Sequence, residues 1–271
     1  MAYDYLRVEQ ADDGIVTVFI DDEENNNAVN FVMNRELAQE IARIDEDPDA
    51  RALVLTGSGR IFCAGGNMQQ MTAQGKSLEP DEKTLRERLH PAESDIRRVT
   101  VALRRMSKPA IAAVNGPAVG SGVGLAAGCD VRIAAREARF GWVFARRGIL
   151  PDDGSLKLVL DILGYARTFE WGVRGRRLEV DEALRWGFVT EVVDQHRLLP
   201  RARAFAREII DNVPPRTAQL FKLALVDALD RPLEEAIRFT ERAQQLARES
   251  EDHAEALRAY AERRRPTWTG R

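Results

Sequence analysis

The sequence predicts an α/β fold with a helical C-terminal region. Two observations carry that prediction. Through the first half, short aliphatic and β-branched runs alternate with segments of helical periodicity, and after Pro151 helical patterns dominate to the end. The 271 residues are 44% apolar and 31% charged, which suffices for a sizeable core and excludes a disordered or fibrous chain.

In chain order, residues 5–8 and 15–20 read as strands around the turn Asp12-Asp13-Gly14. Phe31, Leu37, Ile41 and Ile44 mark one face of a helix over 31–45. Residues 52–56 form a short buried strand, ended by Gly57-Ser58-Gly59. The polar stretch 72–91 has little periodicity and reads as a surface loop feeding a helix over 82–106. Pro109 opens a strand at 110–114, a glycine-rich segment covers 116–128, and 131–135 is a further strand. Helices follow at 154–163, 166–174, 181–186, 199–212, 215–228, 232–249 and 251–264, with Ala202, Phe205, Ala206 and Ile209 forming one apolar stripe.

Forty Lys and Arg against forty-three Asp and Glu give a formal charge of −3, which offers no case for nucleic acid or an anionic membrane as partner. No run approaches the ~18 apolar residues of a membrane span. Residues 1–10 lack the apolar core of a signal peptide. Cys63 and Cys129 make no disulfide framework, so a cytoplasmic setting is expected. His90, His196 and His253 lie far apart without ligand spacing, and no metal is expected.

Three apparent motifs fail. Gly75-Lys76-Ser77 lacks the earlier glycine of a phosphate loop, since position 70 is Gln70. Gly122-Val123-Gly124-Leu125-Ala126-Ala127 lacks the acidic residue that ribose binding needs. Ser121 lacks the flanking glycines of a nucleophile elbow. Arg263-Arg264-Arg265 reads as a solvated helix end.

Two glycine loops survive, each after a buried strand: Phe62-Cys63-Ala64-Gly65-Gly66-Asn67-Met68 and Asn115-Gly116-Pro117-Ala118-Val119-Gly120-Ser121-Gly122. Small residues let a backbone approach a ligand, and a helix start leaves N–H groups without partners. Two such donors converging on one oxygen make an oxyanion hole. The third signal is the aromatic segment from Phe140 to Leu150, followed by Pro151-Asp152-Asp153-Gly154. Either aspartate suits a helix cap.

With Asn27-Ala28-Val29-Asn30 and a tail from Ala259 to Pro266, these pieces resemble the crotonase (enoyl-CoA hydratase/isomerase) superfamily over residues 5–269. The resemblance implies a spiral of ββα units over 1–198 that holds the coenzyme A and acyl site. It also implies a helical trimerisation region over 199–271, and trimers or hexamers. The implied substrate is an acyl-CoA thioester, with coenzyme A part of the substrate and no separate cofactor. The implied oxyanion donors are the N–H groups of Gly66 and Ser121. Ala28, Ala64, Asn67, Met68, Gly120, Trp142, Phe144, Tyr260 and Arg263 fall at substrate-binding positions, the last two toward the adenine end of coenzyme A. Cys63 and Met68 read otherwise as packing residues.

The departures from the family pattern set the chemistry. Hydratases of the family carry two glutamates, and their positions hold Gly124 and Phe144 here. Asp152 falls where several isomerases of the family carry their acid. The expected reaction is therefore double-bond isomerisation with Asp152 as proton shuttle. Trp142, Phe144, Ile149 and Leu150 are expected to bury it, and Asp153 is the fallback acid. Asn67 stands where most members have Asp. Other crotonase-type chemistry (hydration, thioester hydrolysis, dehalogenation) and a non-catalytic acyl-CoA or RNA scaffold are the alternatives.

Overall fold

The computed structural model describes residues 3–66 and 95–271. The loop expected at 72–91, the start of the helix expected from 82, and Asn67, Met68 and His90 lie outside the described residues.

The chain opens with an antiparallel hairpin, β1 (Leu6–Gln10) and β2 (Ile15–Ile20), turned through Gly14 at φ 79°. Helix α1 (Phe31–Glu46) follows, its first turn capped by the Asn30 side chain accepting from the Met33 N–H at 2.9 Å. Met33, Leu37, Ile41 and Ile44 face the core. Phe31, expected on that face, is exposed, because at about 3.6 residues per turn it points away from the side that carries Met33, Leu37 and Ile44. Parallel pairing then adds β3 (Ala52–Gly57) to β2, and, after helix α2 (Asp95–Arg105), β4 (Ala110–Val114) to β3.

The second half weaves two sheets. β5 (Ala118–Val119), helix α3 (Ser121–Gly128), β6 (Val131–Ala135) and β7 (Arg139–Gly141) come in quick succession. β6 joins the main sheet beside β4, while β5 and β7 start a small second sheet. Helix α4 (Ser155–Arg174) is broken at Gly164, whose φ of 71° separates the two helical stretches read from the sequence. β8 (Arg177–Glu179) completes the small sheet and β9 (Glu191–Val193) the main one, with α5 (Val180–Trp186) between them. The main sheet runs β1-β2-β3-β4-β6-β9 and the small one β5-β7-β8.

Four helices end the chain: α6 (Leu198–Asn212), α7 (Pro215–Ala228), α8 (Leu233–Arg248) and α9 (Glu251–Glu262). Strand alternation sends Leu53 and Leu55 to the larger core with α1, α2 and α3. Ala52, Val54, Ile111 and Ile133 go to the opposite face, which Leu198, Ala202 and Ala206 of α6 cover. Of the stripe read from the sequence, Ala202 and Ala206 are buried here and Phe205 packs against them, while Ile209 lines a neighbouring cavity. No helix among the described residues is long and apolar enough to cross a membrane.

Candidate active site

β3 and β4 are parallel neighbours, so the loops after them leave the sheet side by side. Side-chain hydrogen bonds then lace the loops together. Asn115 Oδ1 accepts from the Gly57 N–H at 3.1 Å, and its Nδ2 donates to the Gly59 carbonyl at 3.0 Å. Asn27, fully buried, donates to the carbonyls of Ser58 and Ile61 and accepts from the Asp22 N–H. The Val29 N–H reaches the Gly65 carbonyl at 2.7 Å, and the Ala64 N–H the Asn26 carbonyl at 3.2 Å. This brings Ala28 and Ala64 into one wall.

The two glycine loops meet backbone to backbone. The Val119 N–H donates to the Cys63 carbonyl at 2.8 Å, and Cys63 bridges to Ala118. Gly65 adopts φ 91°, and a Cβ there would stand 2.7 Å from the Val119 carbonyl oxygen. Gly120, at φ 53°, turns the chain into α3, and a Cβ there would lie 3.7 Å from the Gly65 Cα. Positive φ favours glycine at both, and at Gly65 the close approach of the Val119 carbonyl requires it as well. Among the described residues neither the Gly66 nor the Ser121 N–H has an acceptor. Two half-buried, unpaired donors therefore flank the junction of the loops, and Ser121 is the first residue of a helix. Cys63 is buried, and burial pushes its thiol up to about 12, as suits a packing residue.

The segment after β7 supplies the acids and the apolar walls. Trp142 is buried against Trp171 and donates through Nε1 to the Ser155 hydroxyl at 3.0 Å. Phe144 reaches toward Gly120, its Cζ 3.9 Å from where a Cβ there would be. A cavity of about 300 Å³ opens beside them, walled by Trp142, Phe144, Ile149, Leu150, Leu160 and Phe169. The expectation that such walls bury Asp152 is not met. Asp152 is exposed, and Leu150 beside it is 78% exposed, because the chain from 145 to 152 runs over the surface before α4 begins.

Asp153 is the buried aspartate, at 1% exposure. Its Oδ1 accepts from the Ser155 N–H at 3.0 Å and closes the opening turn of α4, so Asp153 and not Asp152 serves the helix start. Its carbonyl accepts from Thr100 Oγ1 at 2.6 Å. Oδ2 is buried without a hydrogen-bond partner and would stand 2.9 Å from a Cβ at Gly124. Burial, first, and then the neighbouring Asp152 charge hold this carboxyl above the usual carboxylate range. Its hydrogen bond from Ser155 and the nearby Ser121 side chain oppose that only in part. The sequence offered Asp152 and Asp153 alike as helix caps, but nothing in it marked Thr100 or Ser155 as neighbours of the site.

Other residues lie apart. Arg146 donates to the Arg174 carbonyl at 2.8 Å and is not engaged with Asp153. Tyr260 is 87% exposed near the end of α9, and Arg263, at φ 54°, ends that helix; among the described residues neither forms a hydrogen bond or ion pair with the glycine loops. A cavity of about 640 Å³ lies between α6, α7 and the edges of α2 and β6, lined by Asp130, Phe205, Phe221 and Leu225, and includes none of the candidate residues. No cluster of three or more His, Cys, Asp or Glu among the described residues is placed to hold a metal ion.

The chain is similar to known proteins over nearly its whole length. The pattern of the enoyl-CoA hydratase/isomerase family matches residues 10–271. The 1,2-epoxyphenylacetyl-CoA isomerase of Escherichia coli K12 is 33% identical over 95% of this chain and 96% of its own. The (E)-benzylidenesuccinyl-CoA hydratase of Thauera aromatica is 34% identical over 84% of this chain and 85% of its own. The crystal structure of an enoyl-CoA hydratase from Bacillus anthracis superposes with a TM-score of 0.89, at 28% identity, over 98% of this chain and 100% of that one. The α/β fold is thus that of the crotonases, and the chain belongs to the enoyl-CoA hydratase/isomerase family.

Proposed function

We propose that the protein isomerises the double bond of an enoyl-CoA thioester, with Asp152 moving the proton. The observation that carries this reading is the pair of acceptor-free N–H groups, Gly66 and Ser121, at the junction of the glycine loops. The thioester oxygen would lie between them and gain negative charge as the C2 proton leaves. One well-placed donor contributes roughly 3–4 kcal/mol to such a transition state. Asp152 takes the proton from C2 and returns it at C4. No water is added, and the positions where family hydratases hold their glutamates are Gly124 and Phe144.

The apolar cavity beside Phe144 suits the acyl group, and the names of two relatives point to aryl-bearing acyl chains. Coenzyme A enters as part of the substrate, with Tyr260 and Arg263 toward its adenine end. Relatives are named both isomerase and hydratase, so the deciding experiment separates those reactions.

The test is a panel of 3-enoyl-CoA and 2-enoyl-CoA thioesters offered to wild type and Asp152→Asn. Absorbance reports conjugation, and mass spectrometry reports added water. Conjugation without mass gain is expected, falling by about 100-fold or more in the variant. Added water that persists in the variant would overturn both the reaction and the role of Asp152.

A further inference from the structure

We propose that Asp153 is a second catalytic acid of this site, entering from the α4 side the space that a side chain at position 124 would fill from the α3 side. The inference rests on the isomerase reading above and deepens it. It revises the second half of that reading: Asp152 removes the proton at C2 as above, and Asp153, in place of Asp152, delivers one at C4.

Three observations carry it. First, helix capping accounts for only half of the Asp153 carboxyl. Oδ1 accepts from the Ser155 N–H, a task Asn or Ser performs as well without burying an acid. Oδ2 has no hydrogen-bond partner, and an unpaired buried carboxylate oxygen is costly to maintain. Second, that oxygen lies against Gly124. A Cβ there would come within 2.9 Å of Oδ2 and 3.3 Å of Cγ, so this placement requires glycine at 124. Third, Gly124 lies one helical turn along α3 from Ser121, on the same face. The acid therefore stands about 5 Å along the helix from the N–H that holds the thioester oxygen, a span of a few carbon–carbon bonds. Burial favours its neutral form, the form that has a proton to give.

The step balances. The Asp152 carboxylate takes the C2 proton, so a C–H bond breaks and an O–H bond forms. The electron pair spreads into a dienolate with its charge on the thioester oxygen. As the Asp153 O–H bond breaks, C4 gains a C–H bond, the double bond settles between C2 and C3, and the thioester carbonyl re-forms. Asp152 ends protonated and Asp153 ionised, and one proton passed between them resets the site.

The experiment uses trans-3-hexenoyl-CoA in D2O with wild type, Asp152→Asn and Asp153→Asn. Two rates are read by mass spectrometry and absorbance: deuterium entry at C2, and formation of the conjugated product. Asp153→Asn keeps the capping oxygen. It is expected to retain C2 exchange within about 3-fold while product formation falls roughly 100-fold or more. Asp152→Asn is expected to lose both. Gly124→Ala presses on Oδ2 at 2.9 Å, and more lightly on the Ser155 Cβ at 3.3 Å, while keeping the Asp153 acid; it is expected to repeat the Asp153→Asn split, which guards against a folding defect in the first variant. Product formation at the wild-type rate in Asp153→Asn would overturn this inference and leave the isomerase reading standing. Loss of both rates in a folded Asp153→Asn would also overturn it, reducing Asp153 to a positioning residue. A wild type that neither exchanges nor isomerises the thioester would overturn the isomerase reading and this inference with it.

Discussion

Asp153 and Asp152 are adjacent in sequence and opposite in environment. One is buried against Gly124, and the other lies on the surface after Pro151. That difference has a consequence for stability. Burial raises the Asp153 pKa above its unfolded value, so folding favours the protonated acid. The stabilisation is complete below the unfolded pKa and is lost as pH rises through the folded one. Asp153→Asn stays neutral at every pH and keeps the turn. Thermal melts are expected to coincide near pH 4, and the variant is expected to melt roughly 2–4 °C higher at pH 8. A gap that closes as pH rises would contradict the buried-acid assignment. A more stable but less active variant would fit the usual cost of placing an ionisable group in a site.

At the scale of elements, α3 is the junction that positions the chemistry. Its eight residues, Ser121-Gly122-Val123-Gly124-Leu125-Ala126-Ala127-Gly128, are small or aliphatic, and all after Ser121 are buried. Small side chains let it sit close against the first glycine loop. A Cβ at Gly122 would stand 2.5 Å from the Cys63 carbonyl oxygen, a backbone atom that cannot rotate away. Gly122→Ala is therefore expected to cost about 1–3 kcal/mol in urea unfolding and to lower activity by moving the two donors apart. Unchanged stability would show that the loops have slack. The sequence showed that α3 exists and that its loop is glycine-rich. It did not show which glycine answers to which neighbour, since Gly122 meets the Cys63 backbone, Gly124 meets Asp153 and Gly128 meets Leu103.

Over the whole molecule, large apolar side chains remain uncovered on α4 and on the C-terminal helices. Tyr165, Phe169, Phe221, Leu225, Leu233 and Leu257 are each more than half exposed. Exposed apolar area on this scale marks contact surfaces. The proposed assembly, a trimer or a dimer of trimers, would cover it and bring Tyr260 and Arg263 toward a neighbouring site. Light scattering is expected to return three or six times the 30.4 kDa chain mass. A monomer at micromolar concentration would remove that proposal. The C-terminus itself is folded back within the chain, where buried Asp252 accepts from the Thr269 N–H, the Thr269 hydroxyl and the Gly270 N–H.

The fold was largely legible in the sequence, because local periodicity and turn chemistry act over a few residues. The strands at 15–20, 52–56, 110–114 and 131–135 formed within a residue or so of their expected bounds, and the break near 164 coincides with a glycine at positive φ. The sequence by itself determined the α/β class and the two glycine loops, and its resemblance to the crotonases implied that Gly124 and Phe144 stand where hydratases carry glutamates. It could not decide which of two consecutive aspartates is buried, because that depends on how the chain after Pro151 enters α4 and on the empty side-chain position at Gly124. Nor could it show that Ser121, Gly124 and Ser155 surround the Asp153 carboxyl group while Thr100 holds its backbone carbonyl. Tertiary structure decided this, since α2, α3 and α4 converge there from three separate parts of the chain. Burial, unlike periodicity, is a property of everything that packs around a residue.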